Sequence, residues 1–316
     1  MIRKILSFIL LLTAGLNVYA QTAATELDDD VKLMIGNDLG RNGYYEQKPI
    51  AALMGKVAEA VGPDAFLALG DTHHYLGISS VDDPLWMTNY ELVYSHPELQ
   101  VEWCPVLGNH EYRGNTQAVI DYSGISRRWI MPSRYYTRIF DNDGTRVKVV
   151  FIDTTPIIDK YYSNTGEYPD ANRQDVEAQL RWLDNELSRD DNADWTVVAG
   201  HHPIYAQTPK QSSEREDMQR KVDPILKKHK VDMYICGHIH NFQHIRKDGI
   251  DYIVNTSGSL SRPDVTPTDG TVFCSGVPGF SVLTATKDCL RLSLIDNNGN
   301  VCLLYTSPSP RDYAAS

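Results

Sequence analysis

Val231-Asp232-Met233-Tyr234-Ile235-Cys236-Gly237-His238-Ile239-His240 is a short apolar run that stops at a glycine and then presents two histidines two residues apart. Its length and bounding turn read as a buried β-strand. Residues two apart in an extended segment project to one face, so His238 and His240 form a natural pair of metal ligands. The same pattern recurs along the chain. Residues 31–35 end at Gly36-Asn37-Asp38, residues 65–69 at Gly70-Asp71, and residues 103–107 at Gly108-Asn109-His110. Residues 147–152 end at Asp153, and residues 195–199 at Gly200-His201. Residues 50–61, 176–187 and 218–228 read as helices; Leu180, Leu183 and Leu187 form one stripe in the second. Continuous apolar strands alternating with helices argue for an α/β fold with buried, largely parallel strands.

Downstream of His240 the alternation gives way to consecutive strands at residues 250–254, 280–285 and 290–295. A Gly/Ser/Pro/Thr-rich stretch, residues 256–279, interrupts them; a loop of that length in a compact domain is functional or mobile. Neither a repeat nor a linker is evident, and one domain is the simplest reading.

Asp38, Asp71, Asn109, His201, His238 and His240 thus all lie just past strand ends, where α/β folds gather ligands. Singly, each is matched by a bland alternative: a strand-end turn aspartate for Asp38 or Asp71, a polar turn for Asn109-His110. As an ordered set of six ligand types delivered to one edge, they point to a metal site.

Bulk properties bound the function. The chain has 316 residues, a size that large α/β folds reach as one unit. Its net charge of −11 excludes the general electrostatic footprint of a nucleic-acid binder. An anionic substrate must be held locally. Arg3 and Lys4, the apolar residues 5–16 and Val18-Tyr19-Ala20 read as a signal peptide cleaved after Ala20, too short for a comfortable membrane span. The expected location is therefore secreted or periplasmic, without stable membrane insertion after cleavage. No nucleic-acid partner is expected, and a monomer is expected.

The five cysteines are Cys104, Cys236, Cys274, Cys289 and Cys302. Cys104 and Cys236 lie in strand-like runs as buried thiols, while Cys274 and Cys289 are a candidate pair. From Cys302 to Asp312 the residues match, codon for codon, a transposon-end sequencing adapter, and a natural Pro/Ser-rich linker is the alternative. The expected organisation is a signal peptide over 1–20, a single domain over 21–301 and a non-native adapter-derived tail over 302–316.

The ordered set resembles the calcineurin-like metallophosphoesterase superfamily, and within it the tartrate-resistant purple acid phosphatases. The likeness rests on Ala68-Leu69-Gly70-Asp71, Val106-Leu107-Gly108-Asn109-His110 with Gly114-Asn115, and Arg128-Trp129. It continues through Val198-Ala199-Gly200-His201 with Pro203, and Cys236-Gly237-His238 with His240-Asn241. It covers roughly residues 31–301.

The resemblance implies a four-layer α/β/β/α sandwich with two mixed sheets. It also implies two metal ions, iron with iron, zinc or manganese. Asp71 would bridge them, Asp38 and His240 would complete one site, and Asn109, His201 and His238 the other. Two such cations clamp a phosphate and activate a water for in-line attack. His110 would act at the leaving oxygen as acid or charge stabiliser, with Glu111 orienting it or only solvated. His202 is a candidate for substrate contact or a satisfied turn histidine, and Asn241 a candidate substrate-binding residue.

One position departs from the family. Purple acid phosphatases carry a tyrosine ligand to ferric iron three positions after the bridging aspartate, and here that position is His74, flanked by His73 and Tyr75. Imidazole suits zinc, ferrous iron or manganese better than a hard ferric ion. The expected activity is phosphomonoester hydrolysis, with a small phosphorylated substrate as the partner that the resemblance implies. Alternatives are a phosphodiesterase, a nucleotide or pyrophosphate hydrolase, or a non-catalytic metal- or phosphate-binding protein.

Overall fold

The computed structural model describes residues 31–308. The signal peptide expected over residues 1–20 and the last part of the tail, residues 309–316, lie outside the described residues.

In chain order the main elements are β1 (Val31–Gly36), α1 (Gln47–Val61), β2 (Ala65–Ala68), β3 (Glu102–Pro105), α2 (Thr116–Asp121), β4 (Tyr136–Asn142) and β5 (Thr145–Phe151). There follow α3 (Asp159–Ser163), α4 (Val176–Leu187), β6 (Trp195–Ala199), α5 (Ser213–Lys221), α6 (Asp223–His229) and β7 (Met233–Cys236). The chain continues as β8 (Phe242–Lys247), β9 (Ile250–Val254), β10 (Thr271–Ser275), β11 (Gly279–Ala285), β12 (Cys289–Asp296) and β13 (Val301–Pro308).

The strands form two sheets, ordered β13-β12-β11-β1-β2-β3 and β10-β8-β9-β7-β6-β5-β4. Together with the helices they make a four-layer α/β/β/α sandwich. Both sheets are mixed. β1, β2 and β3 run parallel, as do β5, β6, β7 and β9, and these are the strands that read as continuous apolar runs. The strands outside those blocks pair antiparallel, which corrects the largely parallel arrangement implied by the runs alone. The parallel strands all point their carboxyl ends toward the loops that carry the candidate ligands, and this is what assembles the site.

Local sequence explains most elements. On α1, Ile50, Ala51, Met54, Val57, Ala58 and Val61 are buried at helical spacing, and Gly62 ends the helix in the left-handed region with its N–H donating to the Ala58 carbonyl. The helix expected over residues 218–228 is instead two. Val222 separates α5 from α6, and Pro224, which has no N–H to give, sits in the first turn of α6. The start of α5 was not legible because its buried face holds Glu214 and Asp217 rather than apolar residues. β4 was also missed. It joins β5 through Asp143-Gly144, both at positive φ, a two-residue hairpin turn. β8 is a short strand between the histidine loop and a second turn. β10 lies inside the stretch expected to be a loop.

All five cysteines are free thiols. Cys104 and Cys236 are buried as expected, whereas Cys274 and Cys289, on strands of different sheets, do not pair.

Residues 301–308, most of them within the expected tail, form the edge strand β13 against β12. Among its described side chains none is buried, and Leu303 only packs against the core from outside. β13 therefore contributes hydrogen bonds at an edge and the contacts of Tyr305 with His244, Arg246 and Asp251, but no core residue. Deleting residues 302–316 should leave the fold and the turnover intact, with little change in melting temperature. Loss of soluble protein or of turnover on that deletion would show the segment to be integral to the domain.

Candidate metal centre

Four of the candidate ligands have left-handed backbone: Asp38 (φ 51°), Asp71 (φ 54°), His238 (φ 71°) and His240 (φ 65°). This conformation costs a non-glycine residue about 1–3 kcal/mol, so surrounding contacts must enforce it. They are visible at Asp38. Its N–H donates to the Gly70 carbonyl (3.0 Å), and its own carbonyl accepts from Ser257 Oγ (3.1 Å) and Ser259 Oγ (2.6 Å). Its Oδ2 accepts from Asn37 Nδ2 (2.6 Å) and the His238 N–H (2.9 Å). Oδ1 is buried without a hydrogen-bond partner.

Asp71 is built in the same way. The His110 N–H donates to its Oδ1 (2.9 Å). The loops after β2 and β3 approach so closely that a Cβ on Gly108 would lie 2.2 Å from that oxygen, so only glycine fits there. Glu111 ties the two loops together. Its carboxylate accepts the N–H groups of Asp71 (2.9 Å), His73 (3.0 Å) and Gly108 (2.8 Å). Burial, with the Asp71 charge adding to it, pushes the Glu111 carboxyl up to about 7.

The histidines are oriented by backbone carbonyls. Nδ1 lies 2.7 Å from Leu69 O in His201, 2.6 Å from Leu260 O in His240 and 3.1 Å from Gly40 O in His74. In the neutral ring each Nδ1 therefore carries the proton and each Nε2 has its lone pair free. Those Nε2 atoms face carboxylate oxygens: His240 is 2.9 Å from Asp38 Oδ1, His201 is 3.1 Å from Asp71 Oδ2, and His74 is 3.6 Å from Asp71 Oδ2 and 3.9 Å from Asp38 Oδ1. Lone pairs opposed at such distances need a proton or a cation between them. Nε2 of His74 and His201 and Oδ1 of Asn109 are, like Asp38 Oδ1, buried without a partner. The donor set fits metal ions on this ground: imidazole nitrogens, carboxylate and amide oxygens, each histidine backed by a second hydrogen bond.

Four clusters of potential ligand atoms overlap, each within 4.8 Å: Asp38 with His74 and His240, Asp38 with Asp71 and His201, Asp71 with His74 and His110, and His201 with His202 and His238. His238 uses the other nitrogen. Its Nε2 lies 3.0 Å from Glu214 Oε2, which leaves Nδ1 for a cation. Burial dominates the electrostatics and is overridden only locally. It lowers His74 well below the usual imidazole range and His238 to about 3, so both are neutral. Burial would lower His201 too, but the Asp71 charge and hydrogen bond raise it to about 9. Burial likewise opposes ionisation of Asp38, and His240 outweighs it, holding that carboxyl far below its usual range.

A cavity of about 360 Å³ opens over these groups, with Asp71, Asn109, His110, His238 and His240 in its wall. His110 belongs there. Its Nδ1 lies 2.7 Å from the Tyr75 carbonyl and its Nε2 3.8 Å from Asp71 Oδ2. His74 turns inward, whereas Tyr75 is 58% exposed.

Two candidates sit elsewhere. His202 is fully buried, with Nδ1 2.8 Å from Thr154 Oγ1 and its ring 4.4 Å behind that of His238, away from the cavity wall. Asn241 is buried too; its Oδ1 accepts from Gln243 Nε2 (2.8 Å) and its Nδ2 donates to the Arg262 carbonyl (3.4 Å). Neither lines the cavity: Asn241 supports its wall, and His202, with a ligand atom within 4.8 Å of those of His201 and His238, keeps its Nε2 buried without a partner. Glu111, expected to orient the His110 side chain or to be solvated, does neither. Sequence reasoning missed Arg41, Lys210, Glu214 and Arg262, which line the cavity, and Ser257 and Ser259, which hold Asp38. Their roles arise from contacts between distant segments and leave no local motif.

The calcineurin-like phosphoesterase family model matches residues 31–242. Purple acid phosphatase 4 of Arabidopsis thaliana is 30% identical over 286 residues, an alignment covering 86% of this chain and 82% of that one. Tartrate-resistant acid phosphatase type 5 of Oryctolagus cuniculus is 32% identical over 219 residues, covering 67% and 66%. Among solved structures, one described as GAP50, the anchor in the inner membrane complex of Plasmodium, superposes with a TM-score of 0.77 at 23% identity, covering 89% of this chain and 90% of that one. At that identity the likeness concerns the fold alone.

Glu111 gives a test independent of any substrate. Glu111→Ala leaves three buried N–H donors unsatisfied, at about 1–3 kcal/mol each. It should lower the melting temperature by roughly 5 °C or more and reduce metal uptake. Thermal unfolding and metal analysis check this; wild-type values in both would contradict the clasp.

Proposed function

The chain belongs to the calcineurin-like phosphoesterase family and is a metal-dependent phosphatase related to the purple acid phosphatases; from that premise we propose that it hydrolyses phosphomonoesters outside the cytoplasm. In this reading one metal is held by Asp38, Asp71, His74 and His240, and the other by Asp71, Asn109, His201 and His238. The observation that carries it is the opposition of bare Nε2 atoms and carboxylate oxygens across a buried site. Export rests on the charged, apolar and small-residue pattern of the first 20 residues. Among the described residues no helix is long and apolar enough to cross a membrane.

When bound, the two cations would polarise the phosphoryl oxygens and supply a water-derived nucleophile at moderate pH. The protein's own groups do the rest. Asp71 would serve both sites, its carboxylate and backbone fixed by the His110 N–H and by the Glu111 clasp. Glu214 accepts from His238 and keeps that ring's other nitrogen turned inward. His110, whose Nδ1 is spent on the Tyr75 carbonyl, presents Nε2 to the cavity, where a protonated ring can donate to the leaving oxygen.

The alternative reading is an anchoring or binding protein without turnover, which the GAP50 superposition keeps in play as a use of this fold. The complete donor set favours catalysis. Turnover of p-nitrophenyl phosphate with added divalent metals separates the two: metal uptake without hydrolysis would support the binding protein.

Asp71→Ala should lose both metals and nearly all turnover. His110→Ala should keep the metals and lose roughly 10²–10⁴-fold in rate, mainly on esters with poor leaving groups. A His110→Ala protein that lacks metal would contradict that division of roles. His74 leads to a spectroscopic expectation. Without a phenolate ligand there is no tyrosinate-to-iron charge transfer, so the iron-loaded protein should lack a strong visible band, and His74→Tyr should gain one. A wild-type band that disappears in Tyr75→Phe would show instead that Tyr75 turns inward to the metal.

A further inference from the structure

Five cationic side chains line the cavity over the candidate metal centre: Arg41, Arg113, Lys160, Lys210 and Arg262. Two are paired with carboxylates, Arg113 with Glu167 (2.7 Å) and Lys160 with Glu214 (2.8 Å). Among the described residues the other three have no carboxylate within 4.0 Å, although the chain has 41 acidic residues against 30 basic ones.

Arg41 is 7% exposed, and its Nε and Nη1 are buried without a hydrogen-bond partner. Its guanidinium lies 4.7 Å from the centroid of the Tyr75 ring. A buried cation left in that state costs several kcal/mol unless an anion completes it. Lys210 and Arg262 are tied to the ligand loop. Lys210 Nζ donates to the His238 carbonyl (3.0 Å) and the Arg262 N–H to the His240 carbonyl (2.7 Å). When His238 Nε2 donates to Glu214 it has no lone pair for Lys210 Nζ, 2.8 Å away, so the ammonium keeps unused donors beside the cavity.

A scissile phosphoryl group finds its partners in the two cations proposed above and does not call for three further unpaired charges. The geometry points to a subsite for a second anionic group on the substrate, held by Arg41, Lys210 and Arg262. The substrate class is a phosphomonoester that carries another phosphate or a carboxylate on the same molecule. The inference rests on the phosphatase reading and adds the shape of its substrate.

The test compares fructose 1,6-bisphosphate with fructose 6-phosphate, which share a primary alcohol leaving group and differ in the second anion. The wild-type holoenzyme should prefer the bisphosphate by roughly tenfold or more in kcat/KM, the worth of one charge-assisted contact. The preference should shrink as salt rises. Arg262→Gln and Lys210→Ala should bring the ratio close to that of the two ester groups alone, and Arg262→Lys should retain most of it. Arg262 is exposed, so its replacement does not threaten the fold. Equal kcat/KM for the two sugars in the wild type would overturn the proposal. So would variants that lower both values by one common factor, because the cations would then act on the scissile group itself. Failure to cleave either sugar or p-nitrophenyl phosphate would instead bring down the phosphatase reading and the subsite with it.

Discussion

Asp38 and Asp71 are buried carboxylates held with His201 so that their ligand atoms lie within 4.8 Å of one another. Like charges this close, away from water, cannot both persist without compensation. The structure surrounds them with imidazoles whose outer nitrogens are committed to backbone carbonyls. That arrangement turns lone pairs toward carboxylate oxygens, and only protons or cations reconcile them. Much of the rest follows from keeping it in place. The left-handed backbone at four ligand positions, the bare Cα of Gly108 and the Glu111 clasp are means of bringing five strand ends to one point. The two serines on the carbonyl of Asp38 lock the first of those ends against the loop after β9.

The charge of the whole chain and the charge of the cavity oppose each other. A net charge of −11 gives phosphorylated molecules no general attraction. The cavity is nonetheless lined with five cationic side chains. Selectivity for anions is therefore local, set by a few placed groups. A ligand that fails to reach them meets a repelling surface, a simple means of discriminating among phosphate esters.

The fold was legible where the strands are buried on both faces, because residues 31–35, 195–199 and 231–236 read as mainly apolar runs, each broken at a single position (Lys32, Thr196 and Asp232), with a glycine at the exit. The candidate ligand set was legible for the same reason: Asp38, Asp71, Asn109, His201, His238 and His240 stand just past strand ends, and His74 keeps a fixed spacing from Asp71. What the sequence hid depends on contacts between remote segments. Glu111 looks like a surface acid beside a histidine, and Glu214 like any charge on a polar helix. Their importance comes from the loop of Asp71 and from His238, respectively, neither of them adjacent in sequence. Asn241 misled in the opposite direction, since adjacency to a ligand placed it behind the wall and not in it, and His202, with two readings open, also lies outside the cavity lining.

The account stands on two cations bound across the seam between the sheets. The most direct measurement is a crystal structure of the metal-loaded protein with anomalous diffraction. It should show two peaks that share the Asp71 carboxylate, one completed by Asp38, His74 and His240 and the other by Asn109, His201 and His238. A single peak, or peaks held by other residues while His201 and His240 remain in direct contact with the carboxylates, would contradict it.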